Sequence, residues 1–284
     1  MMTTYSFDDL QGKVCVITGG GGVIGTALAK AIASTGVKIA ILDLLPDAAG
    51  KTADEINEMP GATAIGVAAS VLDKESLQQA KETINTQFGR IDILINCAGG
   101  NSPKATTQVE MMEKSDLGSL EQTFFGLQIE GFQKVFDLNF LGTVLPTMVF
   151  STDMLDLEKG VILNISSMSA YAPLTKVPAY SAAKASINNL TEWLATHFAK
   201  MNIRVNAIAP GFFLTAQNKF LLTDEKTGEY TPRGQKVING TPMGRFGDPE
   251  ELCGTVLYLL SDLSSFVTGV IIPIDGGYNA YSGV

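Results

Sequence analysis

Three side chains in this 284-residue sequence have the types and spacing for moving a proton to a carbonyl or from an alcohol: Ser167, Tyr180 and Lys184. Tyr180 and Lys184 stand four apart in Ala-Tyr-Ser-Ala-Ala-Lys-Ala, where a helical pattern opens, so both project from one helix face. An ammonium is thereby set beside a phenol. A free tyrosine titrates near pH ~10 and is a poor base at neutral pH, and lowering that value by ~2 to 3 units requires ~3 to 4 kcal/mol of selective phenolate stabilisation. Lys184 is expected to contribute it. Ser167, thirteen residues before Tyr180, offers a hydroxyl to the reacting oxygen, with Ser166 as the adjacent alternative.

Such residues need a frame. Short β-rich apolar runs alternate with longer helical patterns, which predicts a parallel sheet covered on both faces. Strands are predicted at 13–18, 38–43, 63–67, 91–96, 161–165, 204–209 and 270–273. The expected fold is an α/β Rossmann-type doubly wound sheet of seven parallel strands, with residues 1–284 forming a single domain. Ligands of such sheets bind beyond the carboxyl ends of the strands, and each candidate motif falls at one of those ends. Thr18-Gly-Gly-Gly-Gly-Val-Ile-Gly25 lies between the first strand and a helix starting near Val23. Its glycines let backbone approach a pyrophosphate that the helix N-terminus stabilises, and Gly20, Gly22 and Gly25 fit the Gly-x-Gly-x-x-Gly spacing. Asp43 ends the second strand, where a carboxylate accepts bonds from ribose hydroxyls and repels a 2'-phosphate, favouring NAD over NADP.

Two segments break the alternation, 100–130 and 212–241. The first carries Pro103, Met111, Met112, Phe124 and Phe125, and long segments in compact domains are commonly functional. Its apolar content predicts a packed lid or interface element. The second is the expected substrate loop.

Composition narrows the function. The chain is 45% hydrophobic and 17% charged, with a net charge of -9, which argues against a nucleic-acid partner. Met1 to Gln11 has no signal-type run, and no window of about 18 apolar residues predicts a membrane span, so a cytoplasmic protein is expected. Cys15, Cys97 and Cys253 are dispersed without a Cys-x-x-Cys, predicting free thiols and no metal site. His197 follows Tyr180 on the same predicted helix by seventeen residues, ~25 Å along the axis at 1.5 Å per residue, too far to share its chemistry.

From Lys13 to Gly277 these motifs, with Asn96-Cys-Ala-Gly99 after the fourth strand, resemble the short-chain dehydrogenase/reductase family. The resemblance implies that Tyr180 exchanges a proton with the substrate oxygen, that Lys184 also bonds the nicotinamide ribose, that Ser167 holds the substrate oxygen, and that Asn139 anchors a water leading to the lysine. It implies cofactor contacts from Gly19, Gly22, Val23, Ile24, Gly25 and Asp43. Ser70 and Val71 stand where the family holds adenine with an aspartate and an apolar residue, and Val23 stands at one of the family's glycine positions. Asn96, Ala98 and Gly99 border the adenosine, with Cys97 in place of a second asparagine. Pro210, Gly211, Phe213 and Thr215 match the segment that fixes the nicotinamide carboxamide. A homotetramer formed through helices near 131–154 and 179–201 is also implied. Within the family, the segments at 19–25, 99–107, 136–140 and 173–180 and the C-terminal run from Asp275 resemble a bacterial subgroup acting on D-mannonate and D-fructuronate. A sugar-acid substrate would need a cation, for which Lys104, Lys176 and Arg245 are candidates, and hydroxyl partners, for which Asn101 and Ser169 are candidates. Another keto-sugar acid or polyol, such as 5-keto-gluconate, is the alternative substrate class, and a non-catalytic NAD-binding regulator is the non-enzyme alternative.

Overall fold

The computed structural model describes residues 5–214, 219–224 and 227–283. Seven strands run β1 Val14–Thr18, β2 Lys38–Asp43, β3 Thr63–Ala68, β4 Ile93–Asn96, β5 Gly160–Ile165, β6 Ile203–Pro210 and β7 Ile271–Ile274. They form one sheet in the order β3-β2-β1-β4-β5-β6-β7, every neighbouring pair parallel. All seven predicted strands are present. β4 starts two residues later than expected, because the Ile91 N–H is taken by the Asp153 carboxylate and Asp92 accepts the Val14 N–H.

β1, β4 and β5 are buried along their whole length, as strands covered on both faces must be. Alternation along β1 sends Cys15 and Ile17 to one core and Val14 and Val16 to the other. The first core is closed by α1 (Val23–Ala33), α2 (Pro46–Asn57) and α9 (Cys253–Leu260), the second by α3 (Lys74–Phe88), α5 (Gly142–Leu157) and α6 (Pro178–Phe198). Because β1 leads to β2 and β3 on one side while β4 returns on the other, a crevice opens where β1 and β4 end.

α4 (Ile129–Phe136) continues through a π-turn at Asp137–Leu141 into α5. This 29-residue stretch is more apolar than expected: its mean hydropathy of 1.2 over the best window reaches that of a membrane span. About half of that window is buried inside the protein. Its buried polar side chains find partners, Thr147 accepting a bond from Asn96 of β4 and Asp153 pairing with Lys81 of α3 at 2.6 Å.

The 100–130 segment is a run of 3-10 turns, Pro103–Ala105, Lys114–Gly118, Leu120–Gln122 and Phe124–Gly126. Met111, Met112, Phe124 and Phe125 are exposed on it. Backbone bonds from Gln108 to Gln122 and from Gln128 to Lys104 fold it upon itself, and Thr107 ties it to Lys176. Beyond β6, α7 (Lys219–Leu222) and α8 (Pro232–Asn239) pack around a separate small core of Leu222, Val237 and Phe246. Thr215 lies outside the described residues.

Candidate active site

The glycine turn follows from what a Cβ would meet. At Gly25 it would lie 2.5 Å from the Gly19 carbonyl, and Gly19 itself has φ +62, a conformation that favours glycine. Gly22 caps α1 without a side-chain bond, which leaves the first-turn N–H groups open toward the crevice. Asp43 stands opposite. Its carboxylate accepts the Gly21 N–H at 3.2 Å and the Leu45 N–H at 3.1 Å, which fixes the side chain at the end of β2. Leu44 and Leu45 beside it are exposed and uncharged.

These groups line a cleft of about 510 Å³. Gly19, Gly22, Val23, Ile24, Gly25 and Asp43 form one end, and Ser70, Val71, Ala98 and Gly99 the middle. At the other end lie Ser167, Tyr180 and Lys184, with Pro210, Gly211 and Phe213 across from them. Of the residues expected at the cofactor, Asn96 is displaced from the wall: it is buried in the sheet, where its amide donates to Thr147 and Asn164. Lining positions that the sequence reading missed include Leu42, Ala69, Gly100, Leu138 and Phe212. Each adjoins a motif residue, but only the sheet register shows that it faces the cleft.

The catalytic end is assembled by β5 and α6. Pro178 starts α6, and the small buried residues Ala179 and Ala183 seat it against Ala105 and Val135, turning Tyr180 and Lys184 inward. Lys184 is 4% exposed, and its ammonium donates to the Ile165 carbonyl at 2.8 Å, 5.7 Å from the Tyr180 ring centre. Ser166 is directed away, its hydroxyl bonding Asn188 and the Lys184 carbonyl. Ser167 instead begins a 3-10 turn, accepts the Ser169 N–H at 3.2 Å and lines the cleft beside Tyr180, whose pKa its hydroxyl lowers.

Electrostatics depart from expectation at the phenol. Burial pushes the Tyr180 pKa up, the Ser167 hydrogen bond opposing this and the Cys97 thiol adding to it. Burial brings Lys184 down to about 8, and Cys97 opposes that shift. Loss of hydration therefore outweighs the expected lysine effect in the chain alone, because charged phenolate and ammonium both lose solvent. Cys97 lines the same cleft, and burial pushes its thiol up to about 11.

Asn139 is fully buried in the π-turn, a helical irregularity frequent at functional sites. Its amide donates to the Gly100 and Val135 carbonyls at 2.7 and 2.8 Å, and its oxygen accepts the Gly100 N–H. A Cβ at Gly99 would lie 2.8 Å from that oxygen and 3.2 Å from the Lys184 ammonium. Asn139 thus braces the loop after β4 directly beside the lysine.

The five residues expected at substrate lie outside the lining of this cleft. Ser169 is 1% exposed, buried by its own 3-10 turn. Arg245 lines an adjoining cleft of about 320 Å³ but forks onto Glu251 through two 2.7 Å bonds. Asn101 bonds Thr106 on the exposed segment, and Lys104 is exposed on the same segment. Lys176 sits in a left-handed turn, φ 72, four residues before Tyr180. Among the described residues no group of three or more His, Cys, Asp or Glu is placed to hold a metal ion.

A parallel sheet with a glycine turn at its crevice, an acidic residue ending β2, and a Ser–Tyr–Lys set at the far end defines an oxidoreductase of the nucleotide-binding α/β class. A family model described as enoyl-(acyl carrier protein) reductase matches residues 21–279. The chain belongs to the short-chain dehydrogenase/reductase family, enzymes acting on alcohol and keto groups. It is 52% identical over 278 residues to an uncharacterized oxidoreductase of Bacillus subtilis, covering 98% of each chain. It is 31% identical to a 2-dehydro-3-deoxy-D-gluconate 5-dehydrogenase of Formosa agariphila, covering 97% of this chain and 96% of the relative. A crystal structure from Haemophilus influenzae, described provisionally as a D-mannonate oxidoreductase with bound NAD, superposes with a TM-score of 0.92 at 51% identity, covering 97% of this chain and 98% of that one.

Proposed function

We propose that the protein interconverts a ketone and a secondary alcohol of a sugar acid, with NAD as hydride carrier and D-fructuronate and D-mannonate as the substrate pair. The observation that carries this reading is the convergence of Ser167, Tyr180 and Lys184 at one end of a cleft whose other end holds the Gly19–Gly25 turn and Asp43. The residues fit a dinucleotide: the glycines leave the backbone bare, α1 offers uncapped N–H groups, and Asp43 suits ribose hydroxyls and opposes a 2'-phosphate. The bound cofactor supplies or accepts the hydride. Tyr180 gives its proton to the carbonyl oxygen in reduction and takes it back in oxidation. Ser167 holds that oxygen, and Lys184 lies within electrostatic reach of the phenol and can pass its proton onward. Asn139 keeps the Gly99–Gly100 backbone beside the lysine. The sugar-acid assignment rests on the names of similar proteins from Haemophilus influenzae and Formosa agariphila together with the motif resemblance.

The assay is NADH oxidation with D-fructuronate and NAD reduction with D-mannonate, run beside 5-keto-gluconate. Turnover of the first pair is expected. Tyr180→Phe should lower kcat at least about 100-fold while NAD affinity stays within a few-fold. Absence of turnover with either member of the pair, in protein shown to bind NAD, would discard the substrate assignment. Unchanged turnover in the Phe variant would discard the proton donor.

A further inference from the structure

Asp43 suits the hydroxyls of the adenosine ribose, and chemistry takes place beside Tyr180 at the opposite end of the same cleft. The adenine base is therefore expected at the lip where β2 and β3 finish. That lip is lined by Leu44, Ser70, Val71 and Leu72. Leu42 of β2 is 1% exposed, as a core leucine should be, whereas Leu44 and Leu72 are 70% and 44% exposed. Two leucines thus stand in water at the edge where a flat aromatic ring would lie. The backbone around Ser70 is hydrogen-bonded within the chain. The Ala69 N–H donates to the Asp43 carbonyl at 2.9 Å and the Ser70 N–H to the Ser76 hydroxyl at 3.2 Å. The Ser70 hydroxyl accepts the Leu72 N–H at 3.3 Å, which closes a turn. The Asp73 carboxylate accepts the Ser76 N–H as the N-cap of α3 and is not part of the cleft lining. A hydroxyl already engaged in its own turn is a weaker acceptor for an amino group than a carboxylate.

We propose that the adenine base is held by packing against Leu44 and Leu72 and not by hydrogen bonds to its exocyclic amino group, so that the protein accepts NAD substituted at that nitrogen. The assignment rests on NAD as the cofactor and is independent of the substrate. Covering two exposed leucines with a base removes apolar area from water, which favours the complex whatever the outer edge of the base carries. A site built around the amino group behaves in the opposite way, because altering that group leaves a buried partner unpaired. The exposure of both leucines also leaves this edge of the cleft open to solvent, with room for a substituent.

The test is isothermal titration calorimetry of the full-length protein with NAD and with N6-propargyl-NAD, in which a neutral chain replaces one hydrogen of the amino group. Wild-type protein is expected to bind the two with Kd values within about fivefold of each other. Leu44→Ser and Leu72→Ser alter exposed positions, where substitution changes stability little, so the variants should fold. Each is expected to raise the Kd of both ligands about fivefold or more. A larger than fivefold loss for N6-propargyl-NAD with the wild-type protein overturns the assignment, as do leucine variants that keep wild-type affinity for NAD; NAD remains the cofactor in either case. Wild-type protein that binds no NAD overturns the assignment and the cofactor together.

Discussion

At Tyr180 two opposing influences meet. Burial raises the phenol pKa, and the Ser167 hydrogen bond lowers it. The neutral phenol is the form that donates, so the free site favours carbonyl reduction at neutral pH. Alcohol oxidation requires the phenolate, and its kcat/KM should therefore rise as pH rises. Ser167→Ala removes the lowering influence and should move that rising limb to higher pH, as well as slowing turnover about 100-fold or more through loss of an oxygen ligand. A pH profile of D-mannonate oxidation checks both, and a limb that stays in place would separate Ser167 from the phenol. The meeting of Ser167, Tyr180 and Lys184 at one end of the cleft was legible from their types and spacing taken together with the glycine turn and the other strand-end motifs. The pKa of Tyr180 was not, since it depends on how far solvent is removed from a phenol that the sequence can only locate. Ser169 shows the same limit: its hydroxyl suits a sugar, but its 3-10 turn buries it.

The ends of secondary-structure elements fix where the side chains of the site stand. Asp43 ends β2, held by the Gly21 and Leu45 N–H groups, so the carboxylate points to a set place rather than sampling solvent. Asp43→Asn removes the charge that opposes a 2'-phosphate while keeping an acceptor. It should shift the ratio of kcat/KM values for NAD and NADP toward NADP by about tenfold or more, equivalent to ~1.4 kcal/mol. An unchanged ratio would place cofactor choice elsewhere. The strands were readable because buried parallel strands are continuous β-branched runs. The π-turn at Asp137–Leu141 was not, because one extra residue in a helix leaves no compositional mark. The 100–130 segment was recognisable as apolar and additional, but Met111, Met112, Phe124 and Phe125 face outward rather than packing as expected, and its tie to α8 joins residues 126 apart.

For the molecule as a whole, the exposed apolar side chains give assembly a physical basis. Met148 on α5 and Trp193 on α6 are 61% and 57% exposed, and both helices carry the resemblance-based expectation of a tetramer. Large apolar surface left in water favours association. A tetramer is the expected species in sedimentation, and Trp193→Asp should lower the mass by breaking one contact; an unaltered tetramer would move the interface away from α6. The sequence by itself determined the doubly wound parallel sheet, the glycine turn, the acidic end of β2 and the Ser–Tyr–Lys set, because each of these is written in local pattern or short spacing. Tertiary structure alone decided which candidate cations are available. Arg245, separated by only six residues from Glu251, is neutralised by it, whereas Lys236 pairs at 2.8 Å with Glu110, 126 residues away in the sequence. Charge is a property of a residue type, but whether that charge is already balanced depends on what the fold brings beside it.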